Sequence, residues 1–209
     1  MKLSILIPSV PHRVKRLGNI LWQLERQVEH GDTEKGEVEL LVLMDNMTMS
    51  IGEKRNKLMD MAKGEYFSFV DDDDQIGFTY IDHLIKAINE TGSDVITFNQ
   101  VRKGFEPNNF LTTKYDIKVP GDGEWREEGG EIFWCGIPAH TSCWKKEFSS
   151  VRFPEISDKE DLDWMRRARM ATESHHHIDY ALYFYTIRHK PHKVEKNEFY
   201  KSSGFSPTL

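Results

Sequence analysis

The chain has 209 residues, 38% hydrophobic and 30% charged, with a formal net charge of −6. That length supplies one sizeable core, the acidic balance disfavours broad binding to nucleic acid or acidic membranes, and no apolar run approaches a membrane span, so a soluble, cytoplasmic protein folded as one domain over residues 1–209 is expected. The two cysteines, Cys135 and Cys143, form no CxxC pair, which argues against a disulfide framework or structural zinc and for two reduced thiols.

The first half alternates short apolar runs with helix-like patterns, the signature of βαβ units on a mostly parallel sheet. "KLSILIPS" is the first predicted strand, and Leu17, Ile20, Leu21, Leu24 and Val28 then recur at helical spacing. "VELLVLMDN" follows as the second strand. Ser50 and Glu53 fit a capping box for a second helix that Gly64 is placed to end, and "YFSFV" becomes strand three. Thr79 and Asp82 can open a third helix, Thr91-Gly92 closes it, and "DVITFNQV" returns as a strand. From Arg102 to Gly130 the pattern degrades into Gly, Pro, Asn and charges, read as irregular excursions or hairpins. A second region begins near Glu131 with the aromatic, strand-like "EIFWCGIPAHTSCWKKEF". Ser157 and Glu160 then form a capping box before a helix, and "HIDYALYFYTIRH" reads as a late strand. His175 to His177 are read as a polar turn before that strand, in preference to a metal site.

Strand three runs straight into four carboxylates, Asp71 to Asp74. Like charges at neighbouring positions repel unless water, a cation or basic side chains compensate them. The carboxyl edge of a parallel sheet is also where open α/β folds bind ligands. On an extended segment Asp71 and Asp73 project the same way and can share a divalent cation, while Asp72 faces elsewhere. The competing reading is a solvated acidic turn in which Asp72 or Asp74 caps a backbone amide. An EF-hand frame from Asp72 fails, because Ile76 and His83 fall where oxygen ligands are required.

In order, "ILIPSVPHR", "VLMDN", "GEKRNKLMDMAKGEYFSFVDDDD" and "KEDLDWMRRA" resemble the family 2 glycosyltransferases. The resemblance runs from Leu3 to about His189 and is weakest between Arg102 and Gly130. It implies an α/β GT-A fold: a Rossmann-like, mostly parallel sheet flanked by helices, with a small acceptor-side subregion. It also implies a nucleotide-sugar-binding half at residues 1–101 and an acceptor-binding half with a C-terminal lid at 102–209. The implied activity is metal-dependent, inverting hexosyl transfer from a nucleotide sugar, with UDP as the expected nucleotide, to an acceptor hydroxyl. The absence of a QxxRW motif points to single-sugar transfer instead of processive synthesis.

Carried over by position, the resemblance puts Pro8, Ser9 and Arg13 at the base and ribose, Asp45 on the base, and Arg55, paired with Asn56, near the base or diphosphate. Asp71 and Asp73 match the DxD positions. Asp73 is the expected ligand of Mn2+ or Mg2+, assisted by Asp71, and Asp71 or Asp72 meets the ribose or sugar. Asp161 takes the place of the catalytic base, and Glu160 that of an acceptor contact unless it serves the capping box. "TIRHKPHK" brings Arg188, His189, Lys190, His192 and Lys193 to a lid over the diphosphate, with phosphate contact ranked above metal ligation and a basic surface tail as the alternative. Phe133, Trp134, His140 and Trp144 are candidates to line an acceptor cleft, against core packing. Where many relatives have an aromatic residue after strand one, Pro11 and His12 stand here. The acceptor is left open among a glycan, a lipid-linked sugar, a protein and a modified nucleic-acid base. Two rival functions are a carboxylate-metal phosphohydrolase, which Gln75 disfavours in its dehalogenase form, and an inert nucleotide-sugar-binding module.

Overall fold

All seven residues from Leu3 to Ser9 are buried, the pattern of a strand covered on both faces. In the computed structural model, which describes residues 1–32, 34–103, 110–119, 125–128 and 132–185, this strand is β1 (Leu3–Ser9). It lies between two parallel partners, β2 (Val38–Met44) and β3 (Tyr66–Phe69). A 3-10 turn at Pro11–Arg13 and α1 (Val14–His30) return the chain from β1 towards β2, and α2 (Ile51–Met61) joins β2 to β3.

The remaining elements are β4 (Gln75–Ile76), α3 (Tyr80–Thr91), β5 (Val95–Lys103), β6 (Phe110–Tyr115), β7 (Trp125–Glu128), β8 (Ile132–Cys135), β9 (Cys143–Lys145), α4 (Glu160–Met170) and β10 (His175–Tyr185). The sheet order is β2-β1-β3-β9-β5-β6-β8-β7, with β10 paired to β5 and β4. The short β9 runs antiparallel between β3 and β5, so β1, β2, β3, β5 and β10 all point the same way. This is the expected α/β GT-A architecture, with helices flanking a sheet whose main strands are parallel. Within the segment expected to be irregular, β6 forms a hairpin-like antiparallel pair with β5, and β7 pairs antiparallel with β8.

Strand alternation distributes the core to both faces. Leu3, Ile5 and Ile7 pack with Leu17, Ile20 and Leu24 of α1 and with Leu84 and Ile88 of α3. Leu6 points the other way, to Leu58, Phe67, Phe69, Trp144 and Trp164. Trp144, a candidate for the acceptor cleft, is fully buried and packs edge-on against Trp164 at 5.1 Å, so it is a core residue. Among the described residues no helix is long and apolar enough to cross a membrane.

Caps and breaks differ from the sequence expectation where tertiary contacts take over. Ser50 caps α2 as expected, accepting from the Glu53 amide at 3.1 Å. The helix ends at Met61, however, with Ala62 as its C-cap. Gly64 is instead a close-approach position, where a Cβ would lie 2.7 Å from the Ser4 backbone nitrogen. Gly92 does close α3, in the left-handed conformation (φ 57°) that a glycine adopts without steric cost. Thr79 makes no side-chain cap, and Asp82 accepts from the Asp32 amide. The Ser157–Glu160 capping box does not form: Lys159 is the N-cap of α4, at φ 62°, and Ser157 Oγ accepts from the Ile51 amide at 3.3 Å. His175 to His177 open β10 instead of forming a turn, paired in register with Val95 to Thr97.

Candidate active site

The four carboxylates after β3 form a tight turn, closed by the Asp74 amide donating to the Asp71 carbonyl at 3.2 Å. The turn removes the simple alternation expected of an extended segment and divides the side chains among Arg55, Arg13 and Tyr183. Asp71 faces Arg55 at 3.2 Å. Asp72, 1% exposed, accepts from Ser9 Oγ at 2.6 Å and from the Arg13 guanidinium at 2.9 Å. Asp73 lies 3.3 Å from that same guanidinium. Asp74 accepts from the Tyr183 hydroxyl at 2.8 Å, and Tyr183 Oη in turn accepts from the Asp71 amide at 3.1 Å. Burial, followed by the Asp71 and Asp74 charges, pushes the Tyr183 hydroxyl far up, which keeps it a donor.

The ends of β1 and β2 are tied together by Lys54, on the first turns of α2. Its Nζ donates to the Ser9 carbonyl at 2.7 Å and pairs with Asp45. The Lys54 bond, helped by the Met49 and Thr48 amides, holds Asp45 well below the usual carboxylate range. Pro8 is buried within β1, opposite Leu43 of β2. The expected base-and-ribose set, Pro8, Ser9, Arg13 and Asp45, is thus gathered at one strand edge. Lys54, which sequence reasoning missed, organises it. A lysine four places after an N-cap serine resembles any surface residue until its 3% exposure is known.

Arg55 departs most from its expected position. It is 4% exposed, packs beside the edge-to-face pair of Phe69 and Phe153 rings at 5.8 and 5.5 Å, and points inward to Asp71, to Glu160 and to His140 Nε2 at 3.1 Å. Burial pushes the Asp71 carboxyl up, but the Arg55 charge overrides this and holds it well below the ordinary value. Asn56 is likewise structural, exchanging hydrogen bonds of 2.9 and 2.8 Å with the Phe153 backbone. Gly52 permits the same close approach: a Cβ there would sit 1.9 Å from the Pro154 carbonyl oxygen.

Glu160 and Asp161 open α4 but face apart. Glu160 is 6% exposed and pairs with Arg55, so it is neither a capping residue nor an open acceptor contact. The Asp161 side chain is 37% exposed; its Oδ1 accepts from the Leu162 amide at 2.8 Å and its Oδ2 lies 3.7 Å from His140 Nδ1. Asp161 and His140 share the wall of a cavity of about 380 Å³ with Gln100, Tyr115, Arg166 and Tyr185. Arg166 and Tyr185 carried no sequence signal beyond helical and strand pattern. Trp134 does not belong to this wall. It sits beside His177 (6.2 Å between rings) and under the Lys114 ammonium (5.7 Å), whereas Thr113, Tyr115 and Cys135 on the same strand pair line the cavity. Arg188, His189 and the rest of the expected lid lie outside the described residues.

Among the described residues, no three or more His, Cys, Asp or Glu side chains are arranged to hold a metal on their own. Asp73 nevertheless suits a cation whose other ligands come from a diphosphate, the usual arrangement for Mg2+. Burial raises its carboxyl above the ordinary value, and Asp71 and Asp72 add repulsion that Arg13 only partly offsets, so a divalent charge would relieve the cluster. Asp71 has its Oδ1 committed to Arg55 and its Oδ2 3.6 Å from His140 Nε2, which leaves it the weaker ligand.

Residues 48–148 match the model of glycosyl transferase family 2. No curated protein matches the chain. The fold is similar to that of S. aureus TarS residues 1–349 in complex with UDP-GlcNAc, with a TM-score of 0.65 and 20% identity over 90% of this chain and 59% of that one. The same TarS segment in complex with UDP matches equally well, at 0.65 and 20% over 90% and 61%. A longer TarS chain gives 0.64 and 19% over 90% and 37%, so this chain spans less than two thirds of the TarS structures it resembles. The matched segment holds Arg55, the four aspartates and His140, and the similarity to TarS, at about 20% identity, is one of fold.

Proposed function

We propose that this chain moves a single sugar from a UDP-sugar to an acceptor hydroxyl with inversion at the anomeric carbon, residues 1–101 binding the donor and 102–209 the acceptor. The observation that carries the reading is the placement of Asp161. It stands on the cavity wall, with His140 between it and Asp71 of the carboxylate cluster. Inversion needs a base on the face of the sugar opposite the leaving diphosphate, and this arrangement supplies a carboxylate on one side and a diphosphate-binding edge on the other.

In this reading Asp45 reads the base, Ser9, Arg13 and Asp72 support the ribose, and the Arg13 guanidinium adds positive charge where the diphosphate leaves. Asp161 accepts the acceptor's proton as the bond to the anomeric carbon forms. Asp73, with Asp71 as a weaker partner, would hold Mn2+ or Mg2+, which when bound supplies Lewis-acid stabilisation of charge on the diphosphate oxygens. The complexes of TarS with UDP and UDP-GlcNAc support the choice of nucleotide.

Calorimetry with UDP, in manganese and in chelator, tests the donor half: binding at least tenfold tighter with manganese, lost in Asp73→Asn, is expected. A thermal-shift panel of UDP-sugars then ranks donors by the stability they add to the native state. UDP release from the best donor, with water as surrogate acceptor, tests the chemistry. Asp161→Asn should lower it on the order of a hundredfold with UDP affinity unchanged. Turnover in Asp161→Asn equal to wild type, or failure of every nucleotide sugar to bind, overturns the reading.

A further inference from the structure

His140 is 8% exposed and has a neighbour at each ring nitrogen. Arg55 Nη2 lies 3.1 Å from Nε2, nearer than Asp71 Oδ2 at 3.6 Å, and Asp161 Oδ2 lies 3.7 Å from Nδ1. The guanidinium can only donate, so an Nε2 that carried a hydrogen would set two donors against each other. An Nε2 that accepts from Arg55 leaves the ring hydrogen on Nδ1, aimed at Asp161. The guanidinium is itself fixed, by Glu160 on its other nitrogen and by the Phe69 and Phe153 rings packed beside it. Glu160 adjoins Asp161, so the chain of contacts Glu160, Arg55, His140, Asp161 closes on the first turn of α4.

We propose that His140 is a positioning residue for Asp161: Arg55 fixes the ring as its Nδ1–H tautomer, and that hydrogen holds one oxygen of the Asp161 carboxylate so that its remaining lone pairs face the cavity. The inference rests on the reading of Asp161 as base. The gap of 3.7 Å exceeds a hydrogen bond, and contacts of this kind commonly tighten only when substrate closes the site. The Leu162 amide already holds the other oxygen at 2.8 Å, so two donors orient the carboxylate.

The two amide side chains separate this role from general packing. In His140→Asn the amide nitrogen takes roughly the place of Nδ1, whereas in His140→Gln the amide oxygen takes roughly the place of Nε2 and accepts from Arg55, leaving no donor at the Nδ1 position towards Asp161. Long-range proton–nitrogen spectra of the histidine rings, with the His140 signals assigned by their loss in His140→Asn, should show the hydrogen on Nδ1; a hydrogen on Nε2 overturns the proposal without any assay of turnover. For UDP release from the best UDP-sugar, His140→Ala and His140→Gln should each lose about tenfold to a hundredfold in kcat, with KM for the donor within threefold of wild type and His140→Asn recovering most of the rate. In an Asp161→Asn background, His140→Ala should cost nothing further, because the residue acts through the carboxylate. Equal rates for the Asn and Gln variants, or an undiminished loss in the Asp161→Asn background, overturn the proposal. If Asp161→Asn is impaired while His140→Ala is not, this inference alone fails; if Asp161→Asn is unimpaired, the reading of the base fails with it.

Discussion

Replacing Arg55 by methionine should unsettle both the fold and the site. Methionine keeps an unbranched apolar stem against Phe69 and Phe153 but removes the charge that pairs with Glu160 and Asp71. Removing one member of a buried ion pair costs about 3–5 kcal/mol, because the partner left behind has lost its solvent. The Glu160 side chain is 8% exposed and belongs in that range, while Asp71 is 21% exposed and can recruit water, so the lower end, about 3 kcal/mol, is expected. For a chain of this size that is a drop of roughly 6–12 °C in Tm. Adding Glu160→Gln should restore about half the loss, since the larger stranded charge is then gone. The pH dependence has a definite sign. The native-state value for Asp71 is depressed, so its contribution is present above the ordinary carboxylate range near pH 4 and is lost as pH falls below it, and Arg55→Met should flatten that acid limb. Urea unfolding at pH 7 and pH 3.5 measures both effects. An Arg55→Met protein within about 1 kcal/mol of wild type, or a double variant weaker than the two single losses combined, would refute the claim that the pair is buried and mutually dependent.

Three further outcomes follow from the geometry. His175 and His177, both held to about 4 by burial, share the Thr97 hydroxyl at 2.7 and 2.8 Å, with Asp116, Arg169, Lys114 and Asp179 around them. Depressed histidines leave stability intact above about pH 6.5 and erode it as the pH falls towards 4, by about 1–2 kcal/mol each after allowing for partial exposure; a His175→Gln/His177→Gln variant whose urea midpoint falls as steeply as wild type between pH 7.5 and 5 would disprove this. Gly52→Ala should lose about 2 kcal/mol despite its better helix propensity, since the added methyl meets the Pro154 carbonyl, and a rise in Tm would contradict that packing. Trp134→Ala should leave UDP release within twofold of wild type, because the indole lies with Lys114 and His177 away from the cavity wall, and a tenfold loss would restore it to the site.

What was legible in the sequence was what local pattern determines. The three parallel strands, the α2 cap at Ser50 and the Gly92 stop follow from hydrophobic period and from the conformational freedom of glycine. The carboxyl edge was readable because strands end in it: Ser9, Asp45 and Asp71 each stand at or just beyond a strand terminus. What local pattern could not supply was direction within a cluster. Arg55 looks like a donor-binding arginine in sequence, and only the closing of Phe153 over it, nearly a hundred positions later, turns it inward. Glu160 fits a capping box by spacing, but a buried guanidinium offers a carboxylate more than an exposed amide does, and the left-handed Lys159 swings it there. Trp134 and Trp144 are both aromatic residues on strands, and which face each presents depends on pairing register.

The acidic run persists because its four charges are not equivalent. Asp72 and Asp74 are consumed by the fold, one fastening the turn to β1 through Ser9 and Arg13, the other fastening it to β10 through Tyr183. Asp71 is spent on Arg55, which commits it to the α4 side of the site. Asp73 is left pressed by its neighbours with Arg13 as partial compensation, and its carboxyl is correspondingly raised. Three carboxylates thus aim the fourth. Neutralising Asp72 or Asp74 should therefore act mainly on stability and on the angle of the turn, whereas neutralising Asp73, which shares Arg13 with Asp72, should leave the fold intact and weaken the manganese-assisted binding of UDP.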